Sequence, residues 1–506
     1  MPKGINRRRF MAGISAGMGA AMLQGQLPTA NAQEDSADAA PSDRPNILWI
    51  VAEDISRHFG CYGGTTVETP HVDALAAEGV LFENAYVTCP VCSPSRSAMV
   101  TGMYQTTIGA HHHRSGRGEL KIHLPEHVRL IPELFKEAGY YVTNGQGPEM
   151  VRPGKTDYNF EFDANVYDGP DWRERPADTP FFAQIQLIGG KYGQREVERV
   201  TDVPNPVAPE DVTLPPYYPD DPVVRQDWAG YMDSVTFTDD EIGQIMAMLQ
   251  EEGVAENTIV FFITDHGVSH ARGKQFMYDE GARIPMIAWG PEYIGAGERR
   301  TDLVAHIDMA ASSLAFAGLP IPEYLESRPL FGDDFTPRDY VVSARDRCDE
   351  TEDRVRMVRQ GELKYIRNFH PQRPHLQPCR YKDKKDCYVA IRELHARGEL
   401  SELHERLLMA ETRPEEELYD LAADPWELTN LAEDPDYAVQ LAELRGLLNG
   451  WIAATGDRGA IQEPEAMYDS DMEAYLNNFR RHEREDAIAE IEANITLMKE
   501  WRAQGI

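Results

Sequence analysis

Two runs without a polar interruption, Ile47-Leu48-Trp49-Ile50-Val51-Ala52 and Ile259-Val260-Phe261-Phe262-Ile263, limit what this chain can fold into more than any other feature. A strand with one wet face alternates apolar and polar residues. A continuous apolar run needs cover on both faces, as a central parallel strand has. Around these runs, strand and helix patterns take turns. Thr69-Pro70 opens a helix through Ala77, which Gly79 ends. Ile131 to Ala138 is amphipathic and steps through Gly139 into the strand pattern Tyr140-Tyr141-Val142-Thr143. Phe181 to Leu187 and Ile284 to Trp289 read as further strands, Asp233 to Glu251 and Ile307 to Ala317 as helices. This alternation predicts an α/β fold, a large mixed, mainly parallel sheet sandwiched by helices. Chemistry in such sheets gathers beyond the carboxyl ends of the strands, where Glu53, Asp54, Asp265 and His266 fall.

The pattern changes after Pro337. Tyr340 to Ser343 and the hairpin-like stretch Arg354 to Ile366 suggest a small antiparallel sheet, with helices near Tyr388 to Met409 and Ala438 to Ala454 packed on it. The expected organisation is an α/β domain over 44–336, a smaller C-terminal α+β subdomain over 337–465, and a charged helical tail over 466–506. That tail would lie over the body or touch another subunit. At the other end, Asn6-Arg7-Arg8-Arg9-Phe10-Met11, a short Ala/Gly/Met-rich stretch and Ala30-Asn31-Ala32 resemble a twin-arginine export signal with its cleavage site. Residues 1–32 are thus expected to be removed on the way to the periplasm, and 33–43 to be an acidic linker. The apolar stretch is too short and glycine-rich for stable membrane insertion.

With 84 acidic and 50 basic residues the formal net charge is −34, which argues against nucleic acid or an anionic membrane as partner. An anionic substrate would need a local cluster of cations or a metal. Of six cysteines, Cys379 and Cys387 are close in sequence and make the best candidate disulfide pair in an oxidising compartment.

The most specific segment is Pro90-Val91-Cys92-Ser93-Pro94-Ser95-Arg96-Ser97-Ala98-Met99-Val100-Thr101-Gly102. Its Cys-x-Pro-x-Arg core and Thr-Gly ending, with Asn46-Ile47-Leu48, Asp265-His266-Gly267, Tyr278 to Pro285 and Glu417 to Leu421, resemble the formylglycine-dependent sulfatases of the alkaline phosphatase superfamily. Bacterial glycan sulfatases and heparan N-sulfatases are the nearest in look. The resemblance implies that a formylglycine-generating enzyme converts Cys92 into the aldehyde 3-oxoalanine. It implies that Glu53, Asp54, Asp265 and His266, with position 92, hold one divalent metal, usually Ca2+. Glu53 departs from the family, which has Asp there, and lengthens one ligand arm. Arg96 and Lys274 match residues that hold sulfate oxygens, and His270 is a candidate acid or substrate contact. His113, Arg114, Arg345 and Arg347 match segments that line saccharide pockets, so a sulfated saccharide is the implied substrate.

Two departures matter. The family signature Gly-Lys-Trp-His is here Gly154-Lys155-Thr156-Asp157, which keeps the lysine at 155 and lacks the histidine. The Pro-His expected after strand Phe181 to Leu187 is replaced by Gly189-Gly190-Lys191, making Lys191 a candidate proton donor. These changes leave two rivals open: a phosphonate or phosphodiester hydrolase with the same site, and an inactive glycan-binding relative.

Overall fold

The computed structural model describes residues 44–193, 203, 205–457 and 461–506; the expected signal segment and linker lie outside them. The described strands are β1 (Asn46–Ala52), β2 (Val80–Tyr86), β3 (Tyr141–Gln146), β4 (Phe181–Gln186), β5 (Thr258–Thr264), β6 (Arg283–Ile284), β7 (Met286–Trp289), β8 (Glu298–Ala305), β9 (Val341–Arg345), β10 (Val355–Gln360), β11 (Leu363–Asn368) and β12 (Glu416–Asp420). The α-helices are α1 (Pro70–Glu78), α2 (Cys92–Thr101), α3 (Ile131–Glu137), α4 (Pro222–Glu251), α5 (Asp279–Ala282), α6 (Asp308–Phe316), α7 (Arg380–Asp383), α8 (Asp386–Arg397), α9 (Glu402–His404), α10 (Ala438–Thr455), α11 (Glu465–Arg481) and α12 (Glu485–Gln504).

The large sheet runs β3-β4-β1-β5-β7-β2-β6, with β8 beside β2. Its centre is parallel: Ile50 of β1 faces Ile185 on one side and Phe262 on the other. The sequence of β1 explains its place. Leu48, Ile50 and Ala52 pack into one apolar core with Val235, Ile242 and Ile245 of α4. Ile47, Trp49 and Val51 face the opposite core, with Phe135 of α3 and Leu314 of α6. A strand buried on both faces has no place for a polar residue until it ends, which is why Glu53 and Asp54 mark its exit.

Several boundaries differ from the sequence reading for local reasons. Helix α4 begins at Pro222 rather than near Asp233, because the Asp221 side chain caps it by accepting from Val223 N and Pro222 takes the first turn. The run Ile284 to Trp289 is split into β6 and β7 around Pro285, which has no N–H for a ladder. Cys379 and Cys387 do not form the expected disulfide; both are free thiols. Cys379 precedes α7 at its N-cap position, its sulfur 3.6 Å from Gln275 Nε2, while Cys387 is packed in the apolar core from α8.

The second sheet, β12-β11-β10-β9, is antiparallel, with Val355 opposite Asn368 in the expected hairpin. The tail helices lie against the rest of the chain. On α11, Asp471 is bonded to Arg347 and Tyr468 donates to Glu350 O; on α12, Asn494 donates to the Glu350 carboxylate. No helix among the described residues is long and apolar enough to cross a membrane.

Candidate active site

Two strand ends and one helix start meet at the carboxyl edge of the large sheet. Beyond β1, Asp54 adopts a left-handed backbone (φ 54°) and its N–H donates to Asp265 Oδ1 at 3.2 Å. Asp265 follows β5, its N–H bonded to Ala52 O at 3.0 Å. Of the nine non-glycine residues with positive φ among the described residues, Asp54, Arg114, Asp157 and Asp349 all lie around this cluster. Backbone strain gathered in this way is a feature of functional loops. The loop after β4 can press against Glu53 and Asp54 only because it is glycine. A Cβ at Gly189 would stand 2.2 Å from Glu53 O, and one at Gly190 2.1 Å from Asp54 O.

Cys92 is the first residue of the wholly buried α2, at the positive end of its dipole. Its sulfur lies 3.1 Å from His266 Nε2, 3.0 Å from Lys274 Nζ and 4.0 Å from Asp54 Oδ1. One turn on, Arg96 donates through Nε to Asp265 Oδ2 (3.0 Å) and through NH1 to Gln186 Oε1 (2.6 Å), while its NH2 is sealed from solvent without a hydrogen-bond partner.

The charges are set by these contacts. Burial pushes the His266 imidazole down to about 4, so it is neutral. Its Nδ1–H donates to Gly267 O at 2.8 Å, which turns the Nε2 lone pair toward Cys92 and Asp54. Burial opposes charge on Lys274, but Asp54 and Cys92 outweigh it and hold the ammonium well above its ordinary value. Asp265 is likewise pushed up by burial, then drawn down to about 2 by His266 and Arg96.

The residues 45–319 match the family model for sulfatases. Over 477 aligned residues the chain is 33% identical to an ulvan-active sulfatase of Formosa agariphila, covering 85% of this chain and 78% of that protein. The chain belongs to the sulfatase family. It is also 26% identical to the human N-sulphoglucosamine sulphohydrolase, over 81% of this chain and 90% of that one. A solved structure in complex with its substrate, D-glucosamine-2-N,6-O-disulfate, shares the fold with a TM-score of 0.57 and 18% identity, covering 83% of this chain and all of that one (100%).

Enzymes of this family are sulfuric ester hydrolases and generally use a formylglycine and a divalent metal. The donor set of this sulfatase suits a metal. Ligand atoms of Asp54, Cys92, Asp265 and His266 all lie within 4.8 Å of one another, and three of the four are hard oxygen or imidazole donors. Glu53 lies outside this set. Its longer arm carries the carboxylate past it, to Lys155 Nζ at 2.8 Å, to Lys191 Nζ and to Arg96 NH2 at 3.5 Å. In this structure Lys155, Lys191 and Arg96 come together on the one Glu53 carboxylate.

Three other expected site residues are placed elsewhere. His270 is stacked on Trp228 at 4.9 Å and bonded through Nε2 to Asp227 at 2.6 Å. Arg345 is buried in an ion pair with Asp353, and Arg347 in one with Glu463 and Asp471. The Arg347 guanidinium, enclosed by two carboxylates, has few donors left for a ligand, while Arg345 is held by Asp353 with its Nε buried and unbonded. Arg114 does face out: its side chain is 41% exposed and lies 3.5 Å from Asp349.

The sequence reading missed the segment after Cys379. Tyr381 donates to Asp54 Oδ2 at 3.2 Å and stacks under the Lys274 ammonium, 4.6 Å away. Lys385 donates to Ser269 O, and burial pushes it down to about 8. The signal was available: Arg380-Tyr381-Lys382-Asp383-Lys384-Lys385 is a basic, aromatic run in an acidic chain.

Proposed function

We propose that this sulfatase removes sulfate from a sulfated saccharide or polysaccharide, with a formylglycine made from Cys92 as nucleophile and a calcium ion held by Asp54, Asp265, His266 and position 92. The observation that carries this reading is the convergence on Cys92 of a neutral imidazole, a buried ammonium and a buried carboxylate, with Arg96 directly behind. When bound, the metal would stabilise negative charge on the nucleophile and on a sulfate oxygen.

The side chains do the rest. Asp265 and Gln186 fix the Arg96 guanidinium, and its NH2, which makes no hydrogen bond and only a 3.5 Å ion pair with Glu53, is held ready for a sulfate oxygen without reorganisation. Lys274 holds its proton beside position 92, where a second sulfate oxygen would sit. Lys155, partly exposed, gives the entrance a cation in a chain whose net charge would otherwise repel the substrate, and Lys191 beside it is pushed down to about 7 by burial and the Lys274 charge, which suits it to give up a proton near neutrality. Glu53 balances them and keeps them in place.

The saccharide is supported by the relatives, which include an ulvan-active sulfatase and an N-sulphoglucosamine sulphohydrolase. Conversion of Cys92 by a formylglycine-generating enzyme, followed by twin-arginine export to the periplasm, completes the proposal; that export route carries folded proteins.

The test is peptide mass spectrometry over Cys92 after coexpression with a formylglycine-generating enzyme, then sulfate release from sulfated saccharides set against phosphodiester and phosphonate hydrolysis. An aldehyde at 92 and released sulfate are expected. An untouched cysteine would overturn the mechanism in favour of a binding protein, and preferential phosphodiester cleavage would reassign the substrate class.

A further inference from the structure

His113 is only 2% exposed, yet half of its polar capacity is idle. Nδ1 lies 3.1 Å from Asp349 Oδ1 and 3.5 Å from Cys348 Sγ. Nε2 is sealed from solvent and has no hydrogen-bond partner. An unsatisfied buried nitrogen of this kind is destabilising unless a ligand supplies the partner. The ligand's place is also defined: a ring nitrogen of His113, Cys92 Sγ and a carboxylate oxygen of Asp157 lie within 4.8 Å of one another.

The surroundings hold this imidazole firmly. His113 N–H donates to Arg347 O at 2.9 Å, and Arg347 NH1 donates back to His113 O at 3.1 Å and to Asp349 O at 3.0 Å. Arg114 N–H donates to Ser93 Oγ at 2.8 Å, tying the loop to the first turn of α2. Arg114 and Asp349 both adopt left-handed backbones to make these contacts. Burial raises the Asp349 carboxyl, but His113 and Arg114 outweigh it and hold the group well below the usual carboxylate range. Asp349 is therefore a charged partner for the ring. The histidine that the family signature places two residues after its lysine is replaced by Asp157, and the His113 imidazole stands beside that residue.

We propose that His113, oriented by Asp349, is the acid that protonates the leaving group, supplying from another loop the imidazole that this chain lacks at 157. The proposal rests on the hydrolase reading above. As the oxygen at position 92 bonds to sulfur, the bond from sulfur to the leaving oxygen breaks and its electron pair stays on that oxygen. The Nε2 proton of the imidazolium passes to it. The ring is left as neutral imidazole that keeps its Nδ1 proton, 3.1 Å from Asp349 Oδ1, and water returns the lost proton to Nε2. Asp349 touches neither reactant and acts as a positioning residue.

The experiment uses the full chain with its aldehyde verified, and the best ester from the panel above. His113→Ala, His113→Gln and Asp349→Asn are compared with wild type, with and without added imidazole, after their thermal unfolding has been matched to wild type. His113→Ala is expected to lose about 100-fold in kcat with KM within about threefold, and to regain at least about tenfold with imidazole. His113→Gln fills the site, and its loss should resist rescue. Asp349→Asn should lose about tenfold in kcat. A kcat within about threefold of wild type, a loss confined to KM, or a His113→Ala loss that imidazole does not restore would overturn the proposal while leaving the sulfatase reading standing. A wild type inactive on every ester would overturn both, whereas a wild type selective for phosphodiesters would overturn only the substrate class.

Discussion

The guanidinium of Arg347 bonds the carboxylate of Asp471 at 2.6 Å, joining the loop that carries Asp349 to the tail helix α11. Glu463 takes the same guanidinium at 2.7 and 3.0 Å, and all three side chains are about 1% exposed. Removing one member leaves buried carboxylates without a counter-charge, which typically costs about 3–5 kcal/mol. Arg347→Ala is therefore expected to lower the urea midpoint by about that much stability and to reduce kcat as well, because His113 O loses the Arg347 NH1 donor while only the backbone bond from His113 N–H to residue 347 O remains. A loss below about 1 kcal/mol, the scale of an exposed pair, would show that the network does not bear on the fold.

Lys274 is the cation nearest to Cys92, and its charge is maintained by Asp54 against burial. Lys274→Met keeps much of the volume and removes one fixed donor for the developing charge. Loss of one such donor elsewhere costs about 100- to 1,000-fold in kcat, and that is the expected fall in sulfate release. Conversion of Cys92, read by mass spectrometry, should be unchanged, which separates a catalytic defect from failed maturation.

Chelation should act on stability as well as turnover. A ligand that binds only the folded state stabilises it by about 2.7 kcal/mol at a hundredfold excess over its dissociation constant. Treating the aldehyde-bearing enzyme with EDTA is expected to abolish activity and lower the melting temperature, with both restored by added calcium. Asp265→Asn, which weakens one of the four clustered ligands, should melt at the same temperature with or without calcium. A calcium-dependent melting shift that persists in that variant would place the metal elsewhere.

Much of this architecture could be read from the chain because burial on both faces leaves a plain mark. The runs at β1 and β5 carry no polar residue, and the groups that end them, Asp54, Asp265 and His266, do meet. β2 escaped notice because Glu83 and Asn84 break its pattern; Glu83 pairs with Arg57 and Arg299, while Asn84 donates to Thr301 O. The cations around Glu53 were legible one by one but not as a group, since they come from helix α2 and two separate loops. Tyr381 reaches Asp54 across 327 positions, and no local periodicity encodes such a contact. The arginines at 345 and 347 look alike in sequence to ligand-binding cations; their partner carboxylates, Asp353 nearby and Glu463 and Asp471 far along the chain, reveal their structural duty.

Glu350 gives the clearest pH signature. It is buried, Oε1 accepts from Arg380 N and Asn494 Nδ2, and Oε2 has no partner. Burial first, and the neighbouring Asp349 charge second, push its carboxyl from 4.5 up to about 7. Between those two values the folded state binds more protons than the unfolded state, so this group makes stability fall as pH rises. The displacement corresponds to about 3 kcal/mol, present in full below the unfolded value and lost by the time pH has risen through about 7. Glu350→Gln keeps the accepting oxygen and removes the titration. Urea unfolding at about pH 5 and about pH 8 should show a smaller decline in the variant than in wild type, with the variant more stable at the higher pH. Equal declines in the two proteins would mean that Glu350 finds a compensating cation once it ionises, and that its neighbours carry the pH dependence instead.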